Sequence, residues 1–580
     1  MSVENLITKH IDIWTSAVQT KSTAGRGTSS KLDLYGIKKL RELILELAVR
    51  GKLVPQDSLD EEASILLKRA SEQKGQLVEL GLIKKPRKLD KISEDEIPFD
   101  VPKTWVWTRI ENVGHDLGQK KPDASFTYID VSAINKELGL IEDANILNAS
   151  EAPSRARKLV KKGTVIYSTV RPYLLNIAVI DHDISPEPIA STAFAIIHPL
   201  DGISSSYIYR YLRSPSFISY VESVQNGIAY PAINDKQFFN GLIPIPPQEE
   251  QHRIVAKVDE LMVLCDQLEQ QTEASIEAHQ VLVETLLATL TNSADADELM
   301  ENWERISAHF DTLFTTEESI DQLKQTILQL AVMGKLVPQD PKDEPASVLL
   351  ERIAKEKAQL VKDKKIKKQK PYVTFEGLDS LMKDLPFGWK WVRLADIAEI
   401  VRGGSPRPAG DPRYYDGDIP FLKVGDVTRK SSKFVEGFNA TIKEAGLQKT
   451  RLIETRTVLL SNSGATLGIP AICEFPATFN DGIAAFINKS EFIFDEYLYL
   501  YLNTMTDWFL NIASRGQGQP NLNTDIIKAT RFPLAPIKEQ YRIVAKVDSL
   551  IDMCNQLKLR IAESQTVKLN LTDAIVDQAL

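Results

Sequence analysis

A helix written twice constrains this chain more than anything else in it. Residues 251–268 read QHRIVAKVDELMVLCDQL and residues 540–557 read QYRIVAKVDSLIDMCNQL, an offset of 289. Ile254, Val258, Leu261, Cys265 and Leu268 fall at alternating steps of four and three. Ile543, Val547, Leu550, Cys554 and Leu557 repeat those steps, and Ile561 extends them. The spacing gathers apolar side chains into a narrow seam of the coiled-coil kind. A lone helix cannot bury such a seam, so the pattern predicts that each copy covers the other and that the two halves share a rod.

The duplication reaches beyond the seam. ILELAVRGKLVPQD at 44–57 returns as ILQLAVMGKLVPQD at 327–340, offset 283, with Gln329 and Met333 in place of Glu46 and Arg50. Each copy reads as the end of an amphipathic helix, with Gly51 free to take a left-handed cap and Pro55 just beyond. A second helical pattern follows in each half (61–80 and 344–363), then a lysine-rich linker (83–91 and 364–371) that reads as a solvated connector. Trp105 and Trp107 after Pro102, and Trp389 and Trp391 after Pro386, read as a strand opening a new core, with the indoles as packing residues. Short β-like runs (163–170, 456–473) then alternate with helical ones (206–214, 495–505). Residues 227–234 answer 516–523, and PIPPQEEQ (244–251) and PLAPIKEQ (533–540) launch the seam helices. The growth of the offset from 283 to 289 puts about six net extra residues in the second globular part.

The expected fold is therefore α/β plus a long α-helical coiled coil. A helical region (1–100) leads to an α/β domain (101–246), a central helical region (247–384), a second α/β domain (385–535) and a terminal seam helix (536–580). Paired antiparallel helices should separate the two domains about an internal pseudo-two-fold repeat.

Charge and motif content narrow the function. The chain carries −9 net, yet residues 101–245 hold 14 basic and 14 acidic residues and residues 385–535 hold 17 and 16. The acid excess thus lies on the helical parts, and any nucleic-acid contact must use local patches. No run approaches 18 uncharged apolar residues, and the N-terminal stretch lacks the pattern of a secretion signal. Three cysteines, two of them on the seams, suit a reducing cytoplasm. No phosphate loop of the G-x-x-x-x-G-K-[ST] type is present. No cysteine or histidine cluster has metal-ligand spacing, and Asp181-His182-Asp183 reads as a surface turn. No Asn/Asp-Pro-Pro-aromatic tetrapeptide marks an amino-methyltransferase, so no reaction can be assigned to this chain.

The paired architecture, the Trp-x-Trp openings, GGSP at 403–406 with GDIPFLKVGDV at 417–427, and the P-x-x-E-Q-x-R-I-V-A-K-V-D exits resemble the specificity subunit of type I restriction–modification systems. The likeness covers essentially the whole chain and is greatest to the subgroup with a long N-terminal conserved region. It implies two target-recognition domains, each reading one half of a split double-stranded DNA site. Helical regions would fix the gap and dock two methyltransferase subunits, with restriction (motor) subunits joining them. S-adenosylmethionine, ATP and Mg would belong to those partners, with no cofactor in this chain. The first domain departs from the pattern, opening with Gly118-Gln119-Lys120-Lys121-Pro122 instead of GGSP.

Given that resemblance, the residues expected at DNA are those able to hold phosphate or base edges. In the first domain they are Arg155, Arg157, Lys158 and Lys161 in the densest basic patch, Arg171 and Tyr173 after it, and a second loop with Tyr230, Asn234 and Lys236. A solvated surface helix is the plain alternative for the 154–162 patch. In the second domain they are Arg402, Ser405 and Arg407, Lys449 and Arg451, Asn462, Ser463 and Thr466, and Gln517, Gln519, Asn521 and Asn523. Amide side chains beside glycine can approach DNA closely and read adenine, although such loops are also common unliganded turns. Two other functions compete: the recognition half of a self-contained methyltransferase, which would need a cofactor motif, and a coiled-coil adaptor with two protein-binding modules, which near-neutral domains permit.

Overall fold

A computed structural model describes residues 3–21, 31–86, 89, 91–227, 229–294, 296–366, 384–429, 432–513 and 520–580. The chain divides into two compact units, one of Met1–Ser275 with Ser564–Leu580 and the other of Ile276–Glu563. Both long helices, Gln248–Asn292 and Ile537–Ala579, are therefore divided between the units, in opposite order.

The seams correct the sequence expectation. In the second unit Ile543, Val547, Leu550 and Cys554 share one core with Ile320, Leu323 and Ile327 of helix Glu317–Val332. Val283, Leu287 and Leu290, from the far end of the first long helix, join them. In the first unit Ile254, Val258, Leu261 and Cys265 are fully buried, and Arg41 of helix Tyr35–Val49 reaches Glu269 at 2.6 Å. The two seams fall in different units. Each is buried in its own unit, because heptad spacing accepts any apolar stripe and the preceding amphipathic helix of the same repeat supplies one.

The repeated motifs turn out to be fastenings between each globular domain and its helices. Helix Tyr35–Val49 ends in a Schellman cap, with Lys52 N donating to Leu47 O (2.9 Å) and Gly51 at φ +69°. A Cβ on Gly51 would lie 2.5 Å from Pro102 Cγ, and one on Gly334 would lie 2.5 Å from Pro386 Cγ, so these glycines let the domain's first turn dock on the helix end. Glu250 accepts from Gln56 Nε2 (2.6 Å) and from Trp105 Nε1 (3.0 Å), and Glu539 accepts from Gln339 Nε2 (3.0 Å). Arg253 pairs with Asp60 and Arg542 with Asp343, each at 2.7 Å. Gln251 and Gln540 bond the backbone of Ser204 (2.8 Å) and Phe494 (2.9 Å). Lys52 donates to the carbonyl of Leu580 and Lys335 to that of Thr291, residues 289 apart, so each lysine caps the C-terminal end of the other repeat's long helix. The two changes inside the leading repeat are coupled: Glu46 pairs with Arg50 (2.8 Å), and neither charge is present where Gln329 and Met333 stand.

The two globular parts have the same strand order. In the first, the sheet Ile177–Val179, Val165–Ser168, Phe194–Pro199, Gly114–His115 is antiparallel throughout. A second sheet runs Asn145–Leu147, Phe126–Ile129, Pro188–Ser191, Ala156–Leu159, with its central pair parallel. The second part repeats both, as Pro470–Cys473, Thr457–Ser461, Ile483–Ile487, Glu399–Arg402 and as Thr441–Ile442, Tyr415–Leu422, Ala477–Phe479, Arg451–Ile453. Outer strands Val106–Arg109 and Lys390–Arg393 pair with Leu242–Ile245 and Arg531–Leu534, closing each domain at its chain ends. Helices Ser205–Leu212 and Asp495–Thr504 pack on the first sheets through buried tyrosines, whose hydroxyls (Tyr207, Tyr497) donate to Pro244 O and Pro533 O.

Candidate nucleic-acid interface

In the first domain four backbone segments are stitched together at one edge. Thr192 N donates to Arg155 O (2.9 Å), and Thr169 donates to Ala193 O through its N–H (2.9 Å) and its hydroxyl (2.8 Å). Ile233 N donates to Thr169 O (2.9 Å), and Arg171 N to Pro231 O (2.8 Å). Arg155, Arg171, Tyr173, Tyr230 and Lys236 are thereby exposed on contiguous backbone. The Arg171 guanidinium lies 5.0 Å from the centre of the Tyr230 ring. Arg171 and Leu175 both adopt left-handed backbone, at φ 50° and 52°. That region disfavours side chains with a Cβ, and such conformations collect at binding sites.

The 154–162 patch is not one surface. Residues 156–159 form a strand, not a helix, so side chains alternate between faces. Lys158 points inward, buried, with Nζ donating to Phe194 O (2.7 Å) and paired with Asp235 (3.2 Å); its charge is satisfied inside the domain and the expectation of a DNA contact there is corrected. Arg157 is half-buried, donates to Ala156 O (2.7 Å), and its own carbonyl accepts from Lys120 N (2.8 Å) in the domain's opening turn. Lys161 is exposed beyond the opposite end of the strand from Arg155, near the His115–His198 ring pair (5.3 Å). Burial first, then the Lys161 charge, pushes the His198 imidazole down to about 4. The Asn234 side chain is spent as a helix cap, accepting from Gln237 N (2.9 Å).

The second domain builds the same edge from different residues. Gly404 N and the Thr450 hydroxyl donate to Phe479 O (3.1 and 2.8 Å), and Arg451 Nε donates to Arg402 O (3.0 Å). Asn462 N donates to Gly482 O (2.9 Å), Gly464 N to Pro520 O (2.9 Å) and Leu522 N to Asn462 O (2.8 Å). A Cβ on Gly403 would lie 2.2 Å from Asn480 O and one on Gly404 2.4 Å from Lys449 O, so the two glycines are required for this loop to lie against its neighbours. The turn at 481–482 stands 289 residues after the turn at 192–193. Gly464 and Gly468, at φ +83° and +86°, stand where Arg171 and Leu175 do.

Arg402, Arg407, Lys449, Arg451, Thr466, Asn521 and Asn523 are exposed at this edge, and Ser463 is half-buried. Asn462 is fully buried and its amide nitrogen bonds Gly482 O (2.9 Å), so it shapes the turn and cannot reach a base, contrary to expectation. Asn523 caps helix Thr524–Ala529, accepting from Asp525 N (2.9 Å). Gln517 and Gln519 lie outside the described residues. Sequence reasoning missed Asp481, the acid among these cations: it accepts from the Ser405 hydroxyl (2.7 Å) and lies 3.9 Å from Arg407, and its carbonyl accepts from Arg402 Nε.

Among the described residues no group of three or more His, Cys, Asp or Glu side chains could hold a metal ion, and no helix is long and apolar enough to cross a membrane.

The family sequence model described as the type I restriction modification DNA specificity domain matches twice, over residues 115–278 and 386–564. This chain belongs to that family. Both matches take in one stitched edge and the start of one long helix. The EcoAI and EcoEI type I restriction enzyme specificity subunits of Escherichia coli are each 41% identical, with 100% of both chains covered. A solved HsdS subunit from Thermoanaerobacter tengcongensis is 24% identical over 83% of this chain and 98% of its own, with a TM-score of 0.44. The expected family, two sheet-containing domains and long helices are all present.

Proposed function

We propose that this chain is the DNA-recognition subunit of a type I restriction–modification complex and is not itself an enzyme. Its α/β domains, taken as 101–246 and 385–535, each read one half of an asymmetric bipartite site. The helical parts, 1–100, 247–384 and 536–580, dock two methyltransferase subunits and, through them, restriction subunits. S-adenosylmethionine, ATP and Mg act on those partners, in the cytoplasm.

One observation carries the reading: two domains of identical topology present the same stitched edge with unrelated side chains. Arg155, Arg171, Tyr173, Tyr230 and Lys236 stand on one, and Arg402, Arg407, Lys449, Arg451 and Asn521 on the other. A fixed frame with variable polar loops is what two different base sequences require, since arginine, lysine and amide side chains distinguish base edges as well as holding phosphate. The fastenings that do repeat, by contrast, lie between domain and helix, where no sequence needs to be read.

The test is methylation mapping by the complex reconstituted with its methyltransferase subunits. Arg155→Ala with Arg171→Ala should degrade reading of one half-site, and Arg402→Ala with Arg451→Ala the other. Each pair should also lower the salt dependence of binding. Loss of both half-sites from either pair, or of neither, would refute the assignment of one domain to one half-site.

A further inference from the structure

We propose that Asp481 is a positioning residue for base reading by the second domain, its carboxylate holding the Ser405 loop and the Arg407 guanidinium at the DNA-facing edge. The proposal rests on the assignment of that edge to DNA.

An acid on a surface meant for phosphate is costly unless it does something there: at short range it repels the backbone it faces. Asp481 is not peripheral. Its side chain is about half exposed, on the turn to which the other segments are tied. Gly403 N donates to Ile483 O (3.0 Å), Gly404 N to Phe479 O (3.1 Å) and Asn462 N to Gly482 O (2.9 Å), so 403–404, 462 and 479–483 form one piece of backbone. From that piece the carboxylate accepts from the Ser405 hydroxyl (2.7 Å) and faces Arg407 (3.9 Å). Its carbonyl holds Arg402 Nε, and the Arg402 carbonyl in turn holds Arg451 Nε (3.0 Å).

The carboxylate thus orients Ser405 and Arg407, while the Asp481 carbonyl, which a side-chain substitution leaves in place, holds Arg402 and through it Arg451. The Ser405 hydroxyl, and more weakly the Arg402 and Arg407 charges, hold the carboxyl below the usual carboxylate range, so it stays ionised in this setting. A guanidinium reads guanine only when its fork is aimed, and an untethered arginine of this exposure would be a mobile phosphate contact instead. The first domain has Thr192 at the corresponding place, where its N–H donates to Arg155 O (2.9 Å).

The consequence opposes simple electrostatics. Removing Asp481 makes the edge more positive, which by charge alone strengthens DNA binding. Positioning predicts the reverse. In the full complex with methyltransferase subunits, on the bipartite site mapped for the wild type, Asp481→Ala should weaken specific binding by about tenfold or more, the scale of one mismatched base pair. It should also blur the methylated sequence at the second half-site only. Asp481→Asn, which can still accept from Ser405 but no longer attracts Arg407, should fall between. First half-site reading, and binding to DNA with a scrambled second half-site, should stay at wild-type level and so report an intact fold. Equal or tighter binding with an unchanged second half-site in either variant overturns the proposal. If Asp481→Ala also loses the first half-site, Asp481→Asn decides by the same criterion. A wild-type complex that maps to no split site would instead refute the DNA assignment of the edge, and this proposal with it.

Discussion

Truncating Glu250 should loosen the first recognition domain from its helices, and the size of the effect can be worked from its contacts. The residue is 1% exposed and accepts from Trp105 Nε1 (3.0 Å), itself on a residue 4% exposed, and from Gln56 Nε2 (2.6 Å), on an exposed side chain. In Glu250→Ala the glutamine amide finds water, but the indole N–H is left buried without an acceptor, which costs about 1–3 kcal/mol. Loss of a charge-assisted bond adds about 1 kcal/mol, partly offset by no longer burying a carboxylate. The expected loss is about 2–3 kcal/mol in the first unit. Trp105→Phe keeps an aromatic ring, though a smaller one, and removes the donor, so the double variant should be less destabilised than the two single losses combined, with a coupling of about 1 kcal/mol or more. Denaturant unfolding followed by fluorescence measures this, with Glu539→Ala as the matching change in the second unit. A Glu250→Ala loss below about 0.5 kcal/mol, or strict additivity with Trp105→Phe, would show that the repeated glutamate is not the fastening described.

Burial raises the carboxyls of both Glu250 and Glu539 above the ordinary glutamate range. The folded state therefore holds their protons longer than the unfolded chain, and stability is lost as pH rises from about 4.3 through the raised folded values. Glu250→Gln with Glu539→Gln should flatten that part of the stability curve, and an unchanged slope in melts across that range would refute it. Arg171→Gly relieves a left-handed residue (φ 50°) at a position where the second domain has glycine. Stability should hold or rise by up to about 1 kcal/mol while first half-site methylation is lost; retained methylation would remove Arg171 from the reading surface. A fragment of residues 1–292 lacks the Ser564–Leu580 segment that its unit requires, where Asp573 accepts from Tyr35 (2.7 Å) and Thr572 and Ile575 are buried. Residues 275–291 of a second copy stand in the equivalent place, 289 positions earlier, so the fragment should dimerise and, with methyltransferase subunits, modify an inverted repeat of the first half-site. Sedimentation showing a folded monomer at micromolar concentration would refute the exchange.

What the sequence made legible, and what it hid, follows from how far each signal extends along the chain. Periodicity is local, so the seam helices, the left-handed cap at Gly51 and the strand that carries the second tryptophan of each Trp-x-Trp pair could all be read from adjacent residues. The partner of a seam is not local. Ile543–Cys554 match Ile254–Cys265 by spacing, yet the helix carrying Ile320, Leu323 and Ile327 satisfies the same spacing and covers them. Lys158 shows the same limit at single-residue scale. Its charge was visible, but whether it faces water depends on the alternation of a four-residue strand whose other face carries Arg157. Asn462 and Asn234 offered amides beside glycine or proline, and those residues suit turn building and helix capping as well as they suit adenine.

Asp481 gave no local sign at all, because Ser405 and Arg407 are more than seventy positions away in sequence and meet it only when Glu399–Arg402 pairs with Ile483–Ile487. One signal could have found the fastenings. Gln56, Asp60, Trp105, Glu250 and Arg253 all recur in the second half, at offsets drifting from 283 to 289, whereas the residues proposed to face DNA do not recur. In a chain that repeats itself, identity between the copies marks what holds each copy together. Difference at the same topological place marks what each copy is proposed to read, and on that criterion the pair Thr192 and Asp481 separates the two domains as clearly as any loop arginine.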